Sequence, residues 1–139
     1  MARPSMNPRV APLVVFVGGC MGGGLRLVID ELVPATAAGL PVDIVVINII
    51  GAFAMGVLVA WVMIQGARWW VPMLGTGALG AFTTFSALAA LPWLASTSGL
   101  AAVSVLAATI VGSVAAAAAG WKGGASLALA QERRAESSP

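Results

Sequence analysis

Between Gly75 and Leu88 the chain reads G-T-G-A-L-G-A-F-T-T-F-S-A-L. The hydroxyls of Thr76, Thr83, Thr84 and Ser86 can donate hydrogen bonds to an anion. Carbonyls freed from a glycine-loosened helix can coordinate a small hard cation. Phe82 and Phe85 add rings whose edges are positive, although phenylalanine at helical spacing also suits plain core packing. Asn48, within I-N-I-I-G-A-F-A-M-G, carries an amide that can donate twice to an anion or accept from a hydroxyl. Its structural alternative is an interhelical bond worth about 0.6–2 kcal/mol. Arg26 follows G-G-C-M-G-G-G-L, and is either a snorkelling interfacial cation or a fixed charge that draws anions into a vestibule.

What is missing narrows the chemistry. The chain has no His and one Cys, Cys20, which removes disulfide frameworks, cysteine-rich metal sites and histidine acid–base catalysis. Asp30, Glu31 and Asp43 lie at span ends or in the first connection, so no carboxylate falls within a span. Proton-coupled carriers place a carboxylate or His inside the membrane, so a passive pathway is expected over an antiporter. No nucleophile–base pair is evident, and an enzyme is not expected.

These groups must be held by membrane-spanning elements. Of 139 residues 60% are hydrophobic and 9% charged, against about 25% charged in soluble domains. A formal charge of +2 with scattered basic residues gives no basis for nucleic-acid binding. A span needs about 20 mostly apolar residues, and four segments qualify: Val10–Ile29, Val42–Ile64, Val71–Leu94 and Leu100–Gly120. Val17-Gly18-Gly19-Cys20 faintly resembles a lipoprotein cleavage box, yet apolar sequence continues to Ile29, so a retained first helix is expected. Pro34, Gly39 and Pro41 break the first connection, Gly66 and Pro72 bracket the second, and Pro92 with Ser96–Gly99 marks the third. The expected organisation is an N-terminal segment 1–9, a four-span domain 10–124 and a polar tail 125–139, unstructured from Gln131 onward. In hydrocarbon every backbone polar group must be satisfied internally. A polar, glycine-rich third span is therefore expected to break near its middle, inside protein or beside a cavity, as membrane ion sites do.

Arg3, Arg9, Arg68, Lys122, Arg133 and Arg134 fall on one side of a four-span chain and Arg26 alone on the other. This bias places both termini in the cytoplasm, with Trp69, Trp70 and Trp121 as an aromatic belt at that face. Gly18 and Gly22, and Gly19 and Gly23, each form a G-x-x-x-G pair that permits close helix contact. With the alanine-rich fourth span they serve internal packing or a subunit interface. Four short helices supply few walls, so an oligomer is expected.

Three stretches resemble the small bacterial fluoride channel family (Fluc, also called CrcB). Gly18–Arg26 resembles its G-G-x-x-G-A-x-x-R motif, Asn48–Gly56 its N-x-x-G-x-F-x-x-G motif and Gly80–Ser86 its G-x-x-T-T-F-S motif. They fall in the family's order and cover nearly all of the chain but its tails. The resemblance implies an all-α membrane protein of four transmembrane helices, the third broken, working as an antiparallel dimer with two pores in the inner (plasma) membrane. It implies passive, selective export of cytoplasmic fluoride. It also implies a structural sodium ion, not transported, held at the dimer centre by the backbone carbonyls of Gly80 and Thr83 from each subunit. Asn48, Phe85 and Ser86 would line the pore and Arg26 would sit at a vestibule.

Several positions depart from the family pattern. Leu88 stands where a second pore Phe is usual, Ile44 and Ala87 replace hydroxyl residues, and Ser104 occupies the place of a Tyr in the fourth span; Leu88 and Ser104 are candidate pore-wall positions. With six basic residues against one, the departures raise two possibilities for the second subunit: another copy of this chain, or an oppositely oriented paralogue that completes the pores. The rival readings are a small multidrug-type transporter, which would need a carboxylate in the first span, and a non-transporting membrane subunit, which leaves Asn48 and the broken span without purpose.

Overall fold

Glycine rows decide how the helices meet. In the computed structural model, which describes residues 7–32, 42–84 and 99–136, α1 (Ala11–Leu32) and α2 (Val42–Gln65) are continuous helices. A π-helical stretch, π1 (Met73–Leu79), follows and runs into a short α3 (Gly80–Phe82). The fourth helix, α4, spans Gly99–Glu136. The first, second and fourth are long and apolar enough to cross a membrane, and Met73–Phe82 is a shorter apolar helix. Described residues thus contain helices and no strands. The second half of the expected third span, with Phe85, Ser86, Ala87 and Leu88, lies outside them.

α2 packs mainly on α4. A Cβ on Gly120 would strike the Phe53 carbonyl, one on Gly124 would approach the Val57 carbonyl, and one on Gly56 would strike the Ala117 carbonyl. Residue numbers rise together along this seam, so the two helices run parallel. α1 pairs in the same way with π1: Gly18 lies on the Met73 carbonyl, Gly22 on the Ala78 carbonyl, and Gly77 approaches the Val15 carbonyl. Of the two overlapping glycine pairs on α1, Gly18 and Gly22 make the contact, while Gly19 and Gly23 meet nothing within 4 Å.

The α2 end is set by Gly66. Its φ of 85° is a left-handed conformation that suits glycine, and its N–H donates to the Val62 carbonyl at 2.8 Å, closing the helix. The fourth span, expected to end at Gly120, runs on to Glu136. Gly123 and Gly124 continue the helix, and Gly124 serves close contact with α2 instead of termination. The tail expected to be unstructured from Gln131 is helical to Glu136. It is tied to α2 by Trp61 Nε1–H donating to Gln131 Oε1 at 3.1 Å and Gln65 Nε2 donating to the Ala128 carbonyl at 3.0 Å. Arg133 and Arg134 in the last turn complement the negative end of the helix dipole.

Aromatic rings cluster where α2 ends. Trp61 and Trp70 have ring centroids 5.3 Å apart, with the Arg68 guanidinium 5.5 Å over Trp61. The Trp121 backbone instead lies beside Gly56, nine residues or about 14 Å along the axis from Gln65. The Trp61–Trp70–Arg68 cluster, and not Trp121, is what packs at the α2 end.

Candidate functional site

The third span opens at Thr83, three residues after π1 hands over to α3. Pro72 enters at φ −63°, ψ −32°, a geometry its ring pre-sets for a first helical turn. The Gly80 N–H then reaches both the Gly75 and Gly77 carbonyls. An i→i+5 stretch of this kind is rare and occurs often at functional sites. Phe82 is the last helical residue, and Thr83 turns extended at φ −79°, ψ 149°. The Leu79 carbonyl receives both the Thr83 N–H, at 3.1 Å, and the Thr83 hydroxyl, at 3.0 Å.

Asn48 meets the opened chain from α2. In a continuous helix the Thr84 N–H would donate to the Gly80 carbonyl. Here it donates to Asn48 Oδ1 at 2.9 Å. In return Asn48 Nδ2 donates to the Thr84 carbonyl at 3.0 Å and to the Ile44 carbonyl, one turn back on α2, also at 3.0 Å. The side-chain amide thus pairs with Thr84 in both directions, as a neighbouring strand would. Asn48 is 8% exposed and Thr84 7%. Leaving such buried groups unpaired would cost about 1–3 kcal/mol each.

Gly51 completes the seat. It follows Asn48 by three residues and so shares its face of α2. A Cβ there would strike Thr83 Cγ2 and crowd the Phe82 ring. Asn48, Gly51, Phe82, Thr83 and Thr84 form a polar link between the α1–π1 pair and the α2–α4 pair.

The expected site residues separate accordingly. Gly80, Thr83 and Asn48 come together, whereas Phe85, Ser86 and Leu88 lie outside the described residues. Gly80 is exposed, as is Thr76 one turn earlier. Both line an open groove of about 460 Å³ with Met55, Val59, Met63 and Pro72. Arg26 faces Asp30 on its own helix, Nε to Oδ2 at 3.7 Å, while Arg26 Nε and Asp30 Oδ1 are buried without a hydrogen-bond partner. Ser104 is exposed and donates to the Leu100 carbonyl at 2.9 Å. It lies two turns from Gly112, the residue packed on Ile49, and does not join the cluster. Among the described residues no group of three or more His, Cys, Asp or Glu could hold a metal ion.

Two features escaped sequence reasoning. The double duty of the Leu79 carbonyl has no sequence signal, because any residue supplies a carbonyl. The pairing of Asn48 with Thr84 had a partial one: a buried amide one turn from a glycine, opposite a threonine pair that leaves a helix.

Residues 13–121 match the CrcB-like protein family, described as Camphor Resistance (CrcB). The chain belongs to this family. The match takes in Arg26, Asn48, Gly80, Thr83 and Thr84 and stops just short of Lys122. A Methylobacterium nodulans protein named "Fluoride-specific ion channel FluC" is 39% identical over 122 residues, 86% of this chain and 95% of that protein. A protein of the same name from Methylobacterium sp. (strain 4-46) is 36% identical over 113 residues, 78% of this chain and 87% of its own length. A third, from Xylella fastidiosa (strain M23), is 43% identical over 79 residues, 55% of this chain and 59% of its own length. For a CrcB-family chain, the clamped break is the local structure that the matched segment builds.

Proposed function

We propose that this chain is a subunit of a fluoride-selective passive channel in the inner (plasma) membrane, releasing cytoplasmic fluoride. The observation that carries the reading is the interrupted third span clamped by Asn48, inside the segment that makes the chain a CrcB-family member. Relatives named as fluoride-specific channels that align over most of their own length support it.

Fluoride is small and strongly hydrated, so its path must replace water with donors. Several modest sites in a row allow release better than one tight cage. Ser86, the Phe85 ring edge and the neighbourhood of Asn48 would form that path, with Arg26 drawing anions toward one mouth. Leu88 and Ser104 would belong to its walls.

A second subunit, antiparallel to the first, would supply the remaining walls. The exposed apolar surface of α1, with Leu13, Phe16 and Met21, supports contact with lipid or protein along its length. The bias of six basic residues against one supports one fixed orientation, with both termini cytoplasmic, so that an oppositely oriented paralogue stands beside a second copy of this chain as the partner. A sodium ion would be held by the Gly80 and Thr83 carbonyls. The fit rests on Gly80 being exposed and on Thr84 donating elsewhere, which releases the Gly80 carbonyl from its helical bond. When bound, such a cation would offset the charge of passing anions.

The test is fluoride efflux from liposomes, with chloride as control, for this chain alone and co-expressed with an oppositely oriented homologue. Fluoride efflux without chloride efflux is expected, and Phe85→Ile should abolish it. Equal chloride efflux, or none of either ion in both preparations, would reject the channel reading. Full activity of an antiparallel dimer of this chain alone would reject the paralogue.

A further inference from the structure

We infer that Asn48 is a positioning residue for the main-chain cation site, acting on both of its carbonyls through Thr84. The inference deepens the channel reading above and rests on its sodium component.

Three observations carry it. First, the Thr84 N–H donates to Asn48 Oδ1 at 2.9 Å, so the bond it would make to the Gly80 carbonyl in a continuous helix is lost. The Gly80 carbonyl owes its release to this side chain. Second, a peptide unit is planar and trans, so the Thr83 carbonyl points opposite to the Thr84 N–H. With that N–H aimed at α2, the Thr83 carbonyl is aimed away from α2. Third, a primary amide has two N–H groups, and those of Asn48 serve the Thr84 and Ile44 carbonyls. With both engaged, the Asn48 amide offers no further N–H to a halide. One amide therefore frees one cation ligand and orients the other, and its effect on fluoride passes through the geometry it imposes.

Gly51 is the second half of the device. Its missing side chain admits Thr83 Cγ2 against α2. A methyl at this position would push Thr83 outward while leaving the Asn48 amide intact.

The experiment uses the full-length chain in detergent, alone and co-purified with an oppositely oriented homologue, with thermal unfolding followed against sodium chloride and N-methylglucamine chloride. Single-residue hydrogen exchange is read at the Thr84 amide. Sodium should raise the unfolding temperature of the unaltered chain. Asn48→Ala should raise the half-effective sodium concentration at least about tenfold, the scale of one lost buried hydrogen bond. It should also speed Thr84 amide exchange and reduce fluoride efflux in step. Gly51→Ala should shift the sodium response in the same direction with Asn48 still present, and serves if Asn48→Ala does not fold. A variant at position 48 that loses efflux yet keeps the sodium response and Thr84 protection would overturn the inference, making Asn48 a direct fluoride donor. No sodium effect on the unaltered chain in either preparation would overturn the cation reading and this inference with it. An unchanged response in the variants against a clear one in the unaltered chain would overturn this inference alone.

Discussion

The two helix pairs solve the same packing problem with opposite backbone states. In the α2–α4 pair both helices are continuous, each satisfies its own main chain, and glycine at 56, 120 and 124 lets them approach. In the α1–π1 pair the glycine contacts are as close, but one partner widens into a π-helix and then opens at Thr83. Close packing therefore does not require an interruption. What the interrupted pair needs in addition is a polar side chain from outside itself, and Asn48 supplies it across the boundary between the pairs. The continuous pair acts as a frame, while the opened pair carries the groups with chemistry.

Substitutions can break this contrast or sharpen it. The largest effect is expected from Gly120→Val, which drives a branched side chain into the Phe53 carbonyl on a rigid partner. Overpacking of this kind costs about 1–3 kcal/mol or more. Thermal unfolding should show a steep loss, with residual folded protein keeping fluoride-over-chloride selectivity. Gly22→Ala meets the Ala78 carbonyl on π1, where the widened helix can yield. Its stability loss should be smaller than that of Gly120→Ala, and its loss of efflux larger. Equal stability losses in the two alanine variants would show that π1 is as stiff as α4. Thr83→Val removes the hydroxyl bond to Leu79 but keeps the N–H bond to the same carbonyl. About 0.5–1.5 kcal/mol is expected from denaturation of the purified chain. Gly19→Ala points into open space, and in the monomeric chain should be neutral or stabilising by up to about 1 kcal/mol. A large destabilisation there, measured after assembly with a second subunit, would place this face in an interface.

Much of this arrangement could be read from residue types. Hydropathy marks the helices, and the glycines and threonines from 75 to 84 mark the interruption, because hydrocarbon tolerates neither a loosened helix nor free hydroxyls without a compensating environment. Contacts across space were less legible. Gly18 with Gly22 and Gly19 with Gly23 have the same spacing and local composition, and only the rotation of α1 about its axis selects the first. Hydropathy ends the fourth span at Gly120. The register with α2 turns Gly124 into a contact residue, and the helix runs on to Glu136. Asn48 was legible as an unusual residue, but its partners were not, because the Thr84 N–H and carbonyl become available only after the third span has opened.

The wide coil from Met73 to Leu79 also sets the angular phase of everything after it. Successive residues of an ordinary helix are separated by about 100° around the axis. Because an i→i+5 coil turns less per residue, deleting one residue lets it tighten to ordinary helical winding and is expected to keep Thr84 near the amide it meets, whereas inserting one is expected to swing Thr84 off it by roughly 100°. The stretch between Pro72 and Gly80 is therefore expected to tolerate a one-residue deletion better than a one-residue insertion, with fluoride efflux as the measure.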